Sequence, residues 1–144
     1  MDDQGKRILG IDFGEKRVGV ALSDESLTLA SGILTLENHR DHELAKEIKK
    51  ICDENNVSKI ILGLPKNLKG QETASAKKVR QFAEILKKEI LQPIEFEDER
   101  LTSVMVRKRL HEKGLKEVQI KKEIDKKAAE AILQGYLDKI KNLK

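Results

Sequence analysis

Disulfides have no place in this chain, whose one cysteine is Cys52. Cys52 falls with Ile48 and Ile51 on an apolar helical stripe, and no histidine stands near it in sequence. It therefore reads as a buried core thiol rather than a nucleophile. Aromatic side chains are nearly as scarce, with three Phe, one Tyr and no Trp. So few argue against a stacking platform for unpaired bases. Any binding of nucleic acid must then work through phosphates, geometry and metal. No apolar run approaches the roughly 18 residues that a membrane span needs. The opening MDDQGKRILG has neither an apolar signal core nor a cleavage-site pattern. A cytoplasmic protein that does not engage membranes is expected.

What is abundant is charge. Lys and Arg number 29 against 25 Asp and Glu, and the sequence pI is about 9.1. A mildly basic balance is compatible with a polyanionic partner, although many basic proteins bind none. The 144 residues fit one domain, 1–144, long enough to bury a core without disulfides or a structural metal.

Hydrophobic periodicity gives the order of elements. Residues 7–13 (RILGIDF) and 16–23 (KRVGVALS) read as strands joined by a tight hairpin at Gly14 and Glu15. Leu27 to Leu36 reads as a third strand, interrupted near Ser31 and Gly32. Residues 41–55 read as a helix, with Leu44, Ile48, Ile51 and Cys52 on one face. Residues 58–63 read as a strand buried on both faces, followed by a loop with Pro65 and Gly70. Residues 73–91 read as a helix turning Val79, Phe82, Ala83, Leu86 and Ile90 inward. Ile94 to Asp98 reads as a strand, and Leu101 to Lys113 as a helix stopped by Gly114. The last helix is expected from about Ile124, on a stripe of Ile124, Ala128, Ala131, Ile132, Gly135, Tyr136 and Ile140. Three antiparallel strands extended in parallel by two helix-linked strands predict an α/β fold, a mixed five-stranded sheet flanked by helices.

Three acids stand at informative places. Asp12 ends the first strand in Gly10-Ile11-Asp12-Phe13-Gly14, where an acid in an apolar strand is a costly choice. A turn-forming hydrogen bond is its ordinary reading. Glu99 follows the fifth strand, and is balanced between function and a surface acid paired with Arg100. Asp125 is equally well read as an acid favoured by a helix N-terminus, though it borders the buried face better than Glu123 or Glu130. Phosphodiester hydrolysis needs an activated water and a stabilised leaving oxygen, which divalent cations held by a few carboxylates supply. Parallel strands bring the ends of the first and fifth strands together, and a nearby helix adds the third acid. His39, His42 and His111 lack a metal-ligand spacing. The lysines at 121–127 and 139–144 read as a wet helix face, with a phosphate-contacting edge as the sharper alternative.

Four motifs in order, GIDFGEKRVGVALSD, GLPKNLKG at 63–70, DERLTS at 98–103 and IDKKAAEAILQGYL at 124–137, resemble those of the YqgF (RuvX) family of nucleases. The resemblance covers almost the whole chain. It implies an RNase H-like fold similar to that of the RuvC-type Holliday-junction resolvases, and a role in processing the 5′ end of pre-16S rRNA. It further implies Asp12, Glu99 and Asp125 as catalytic, metal-binding acids, with Mg²⁺ or Mn²⁺ as the expected cofactor. Asp98 is the nearest rival to Glu99, since a one-residue shift changes the face presented. Arg17 and Arg100 are candidate phosphate contacts. Gly63, Asn67 and Gly70 suggest a loop close to the substrate backbone, or an ordinary turn. RuvC-type enzymes typically carry another acid one turn further along the last helix. Here Ala128 stands there, which puts the resolvase activity more in doubt than the fold.

The expected partner is nucleic acid, either structured RNA or junction DNA, bound by a monomer or weak homodimer. A junction resolvase would need two sites in a symmetric dimer. A non-catalytic RNA-binding factor with vestigial acids is the alternative outside catalysis. An actin-like ATPase also begins with a strand carrying Asp and Gly, but needs a second domain for which this chain is too short.

Overall fold

The computed structural model describes residues 6–67, 69–99 and 117–142, with the side chains at 99, 117 and 118 outside the description. Arg100, the helix expected over residues 101–113, His111 and Gly114 lie outside the described residues. Along the chain run β1 (Arg7–Asp12), β2 (Arg17–Ser23), β3 (Ala30–Glu37), α1 (Asp41–Glu54), β4 (Val57–Pro65), α2 (Ala74–Glu89), β5 (Ile94–Glu99) and α3 (Glu117–Asn142). The strands form one five-stranded sheet in the order β3-β2-β1-β4-β5. β1, β2 and β3 are antiparallel neighbours, while β4 and β5 run parallel to β1. This is the mixed sheet that the alternation of strands and helices predicts.

Side-chain alternation divides the sheet cleanly. Leu9, Ile11, Val18, Val20, Ile60, Leu62 and Leu64 face α1 and α2 in one core. Leu44, Ile48 and Cys52 of α1 and Val79, Phe82 and Leu86 of α2 close that core. Ile8, Ala21 and Ile61 point the other way, against Ala129, Ile132, Leu133, Tyr136 and Leu137 of α3. Asp41 and Glu43 in the first turn of α1, and Lys87 and Lys88 in the last turn of α2, suit the helix dipoles.

Three elements depart from the sequence reading. β3 begins at Ala30, because Asp24 collects the preceding segment into a turn. Its Oδ1 accepts from the backbone N–H of Thr28 and Leu29, and Leu27 takes a φ of 59°. The interruption expected near Ser31 and Gly32 is a register shift opposite Val20 and Ala21. The tight hairpin between β1 and β2 is wider than two residues, since β1 ends at Asp12 and β2 starts at Arg17. The largest difference is α3, which starts at Glu117 and places Ile120 and Ile124 in the interior. Ala131, expected inward, is exposed, and Ala129 and Leu133 take the buried stripe.

Cys52 is buried, as its stripe predicts, and burial pushes its thiol up to about 12. A thiolate is the reactive species. The native chain is expected to resist alkylation by iodoacetamide at pH 8 and to react promptly once unfolded in urea. Rapid labelling of the native protein would contradict the packing of α1 on the sheet.

Candidate active site

Asp12 is the last residue of β1, the middle strand, and its register partner on β2 is Gly19. Directly paired residues of an antiparallel ladder share a face. Gly19 faces α3: a Cβ there would overlap the backbone carbonyl oxygen of Asp125. Gly10, two residues before Asp12, faces the same helix, with its Cβ position 2.7 Å from the Leu133 Cβ. Gly32 on β3 repeats the pattern, 2.7 Å from the Lys126 carbonyl oxygen. Three strands thus present glycine to α3, and the helix backbone lies directly on the sheet. Asp12 and the backbone of Asp125, more than a hundred positions apart, thus both border one glycine, Asp12 beside it in the sheet and Asp125 above it.

Asp125 lies well inside α3, so the expectation of an acid at the helix N-terminus is overturned. Its environment is set by burial and by one arginine. The Asp125 side chain is 15% exposed, and Arg17 Nε donates to its Oδ2 at 2.9 Å. Burial raises the Asp125 pKa above the usual carboxylate value and outweighs the lowering by Arg17. The sign has a consequence for stability. Between the ordinary value of 3.8 and the raised one, the folded chain holds a proton that the unfolded chain has lost. Stability therefore falls as pH rises through that window. Asp125→Asn keeps an amide oxygen for Arg17 and removes the buried charge. Its urea midpoint is expected to fall less than the wild-type midpoint on passing from pH 4 to pH 7. An unchanged difference between the two proteins across that range would refute the assignment.

The third expected acid comes from β5. Glu95 pairs with Ile61 and Glu97 with Gly63 across the β4–β5 ladder. Ile61 packs on α3, so these β5 positions share the α3 face. Glu97 is 9% exposed and is held by Lys139 of α3 at 3.0 and 3.1 Å. Position 99 has the same parity and pairs with Pro65. Asp98 pairs with Leu64, which faces α1 and α2, and forms an ion pair with Lys66 at 2.9 Å. Ala128, at the position of the additional acid of RuvC-type enzymes, is fully buried.

The remaining expected residues divide. Arg17 walls an open cleft of about 380 Å³ with Phe13, Gly14, Lys16, Lys78 and Asp125. Gly63 lies within β4, not in the loop after it. Asn67 organises that loop itself: its Oδ1 accepts from the N–H of Lys69 and Gln71, and Gly70 takes a φ of 84°. That φ is one glycine accommodates without a Cβ clash. Gly19 went unnoticed in the sequence reading, although a glycine inside Val18-Gly19-Val20 is the usual sign of a close backbone approach.

Hard oxygen donors at the edge of an open cleft suit a divalent cation. Asp125 lines that cleft, and Asp12 directly precedes Phe13, which also lines it; both acids are partly buried, which strengthens their field. Among the described residues no three His, Cys, Asp or Glu side chains gather at one point, and the side chain at 99 lies outside that set. Among the described residues no helix is long and apolar enough to cross a membrane.

A mixed five-stranded sheet with an acid at the carboxyl end of its middle strand, covered by a long helix, is an RNase H-like fold. The chain resembles in fold the T. thermophilus RuvC solved with a Holliday junction substrate, with a TM-score of 0.57 at 12% identity over 95% of this chain and 96% of that one. The Fowlpox virus resolvase, solved with Holliday junction DNA, gives a TM-score of 0.55 at 13% identity, covering 93% of this chain and 98% of that one. The chain belongs to the RuvX family, described as Holliday junction resolvase, which it matches over residues 6–139. Among its relatives, the Clostridium novyi protein named "Putative pre-16S rRNA nuclease" is 46% identical over 93% of this chain and 99% of that protein. A Chloroflexus aurantiacus protein of the same name is 40% identical over 96% of this chain and 89% of that one.

Proposed function

We propose that this chain is a divalent-metal-dependent nuclease that cleaves phosphodiester bonds, and that its substrate is the 5′ region of pre-16S rRNA. The observation that supports the reading is that Gly19 pairs with Asp12 across the ladder and lies against the backbone of Asp125, which puts both residues on the α3 side of the sheet. A turn acid and a helix-cap acid have no reason to share one glycine, whereas a phosphodiesterase centre would draw its acids to one side of the sheet. The names of the Clostridium and Chloroflexus relatives favour the RNA substrate.

Asp12, Asp125 and Glu99 would hold Mg²⁺ or Mn²⁺. Such a cation supplies a Lewis acid for the phosphoryl oxygen and an activated water at neutral pH. Asp12 is tied to β2 by its pairing with Gly19, next to the last β1–β4 pair at Ile11 and Leu62. Arg17 keeps Asp125 oriented through Nε, and its fork suits phosphate oxygens at the cleft. The loop of Asn67 and Gly70 would border the substrate, and Arg100 would add a second guanidinium.

Purified chain with Mg²⁺ or Mn²⁺ is expected to cut a pre-16S rRNA fragment, and Asp12→Asn to lose that activity. Equal cleavage by wild type and Asp12→Asn would point to a contaminant. The family description and the two junction-bound neighbours favour a second reading, a junction resolvase. The same assay on four-way DNA junctions separates the two. Binding of RNA by both proteins with cleavage by neither would instead favour a non-catalytic RNA-binding factor.

A further inference from the structure

A second cleft, of about 370 Å³, opens on the other side of Arg17 and Lys16 from the carboxylates. Its walls bring together the β1–β2 turn, the end of β3 and α3, through Lys16, Arg17, Thr35, Asn38 and Lys122. The two lysines are exposed and, among the described residues, neither is in an ion pair. The other cations of this region are already neutralised: Lys78 by Glu15 and Arg17 by Asp125. Glu37, the one acid on this cleft among the described residues, lies 3.3 Å from His39.

The lysines are also anchored. The Lys16 carbonyl accepts from the Asn38 N–H at 2.8 Å, and the Lys122 carbonyl accepts from the Thr35 hydroxyl at 2.8 Å. Both anchors sit at the end of β3, so two side-chain stems are suspended from fixed backbone on facing walls. An open, solvated cleft with two ammonium groups that have no ion-pair partner among the described residues attracts a polyanion. Arg17 and Lys16 line both clefts, so a strand lying in one is continuous with the other.

We infer that this second cleft is a phosphate-backbone site. It binds a phosphodiester next to the scissile one, through Lys16 and Lys122. The inference rests on the nuclease reading for its account of what lies in the first cleft, but its test does not require cleavage. Lysine contacts to phosphate release counterions and carry no base information. The site therefore holds RNA and DNA strands alike and gives the chain a salt-dependent grip.

The test measures binding of fluorescent RNA and DNA strands of one sequence in EDTA, across a range of salt concentrations. Lys16→Gln/Lys122→Gln is compared with wild type and with Lys46→Gln/Lys50→Gln on α1. Loss of two contacts lowers the slope of log affinity against log salt by about 1.4 on a single strand, or roughly tenfold in affinity near 0.15 M salt. That loss is expected for both strands, with the α1 pair unchanged and thermal midpoints equal to wild type. An unaltered slope in the cleft variant, or an equal loss in the α1 variant, overturns the inference. Wild-type binding that depends on the two lysines without any cleavage would leave the site standing and remove the nuclease reading. Cleavage with unaltered binding in the cleft variant would do the reverse.

Discussion

Gly19→Ala is expected to destabilise the chain by about 1–3 kcal/mol and to cost most of its cleavage activity. The backbone of Gly19 is not left-handed, so alanine meets no conformational penalty there. The penalty is steric: the new methyl would occupy the place of the Asp125 carbonyl oxygen. That oxygen belongs to the middle of α3, which also packs on Gly10 and Gly32 and cannot tilt at one point alone. The helix must lift, and the carboxylate of Asp125 moves with it, away from Asp12. Gly135→Ala is the matched control. Its Cβ would stand 3.4 Å from Glu97 Oε2, an ordinary contact, in the interior of the same helix. There the substitution is expected to stabilise by up to about 1 kcal/mol, the helix preference of alanine over glycine. Urea unfolding gives both stabilities, and cleavage measured on the folded fraction gives the activities. Equal effects from the two substitutions would show that α3 does not rest on Gly19.

The elements that sequence revealed best are those whose period matched one buried face. β1, β4 and α2 carry unbroken patterns of Leu, Ile, Val and Phe, and their bounds came within a residue or two. β3 was misread because Leu27, Thr28 and Leu29 look like strand, while the bonds that Asp24 sends to them are invisible without geometry. α3 was misread at its start because Glu117 to Glu123 is mostly charged. Its first buried anchor, Ile120, is isolated until Ile124 follows it one turn later.

The candidate site, still a proposal, was legible in a different way. Asp12 announced itself by standing in an apolar strand. Asp125 did not, because its local surroundings fit a helix cap, and only the start of α3 at Glu117 rules that cap out. That contact depends on the register of β1 with β2 and on the path of α3. Neither is encoded near residue 125. The buried Glu97 is likewise ordinary in sequence, and only its bonds to Lys139 mark it as a structural acid held on the α3 face.

The backbone register of β5 sets up a test between two adjacent acids that local sequence left open. Glu99→Gln is expected to reduce cleavage by more than about 100-fold, beyond the range typical of groups that merely support a metal ligand. Asp98→Asn is expected to leave it within about twofold, since a partly exposed ion pair contributes only about 0–1 kcal/mol. The ladder gives the reason. Position 98 pairs with Leu64 on the face of α1 and α2, where Asp98 engages Lys66. The backbone register gives position 99 the parity of Glu95 and Glu97, whose side of the sheet Asp12 shares. A strand has no intermediate solution: moving the register by one residue exchanges the faces of every side chain along it. The two variants should therefore differ sharply rather than share the loss. Single-turnover cleavage under saturating Mg²⁺ measures both, with circular dichroism to show that each is folded. Strong loss in Asp98→Asn with a fully active Glu99→Gln would mean that β5 is out of register with β4 at its end, and that the third acid has been assigned to the wrong face.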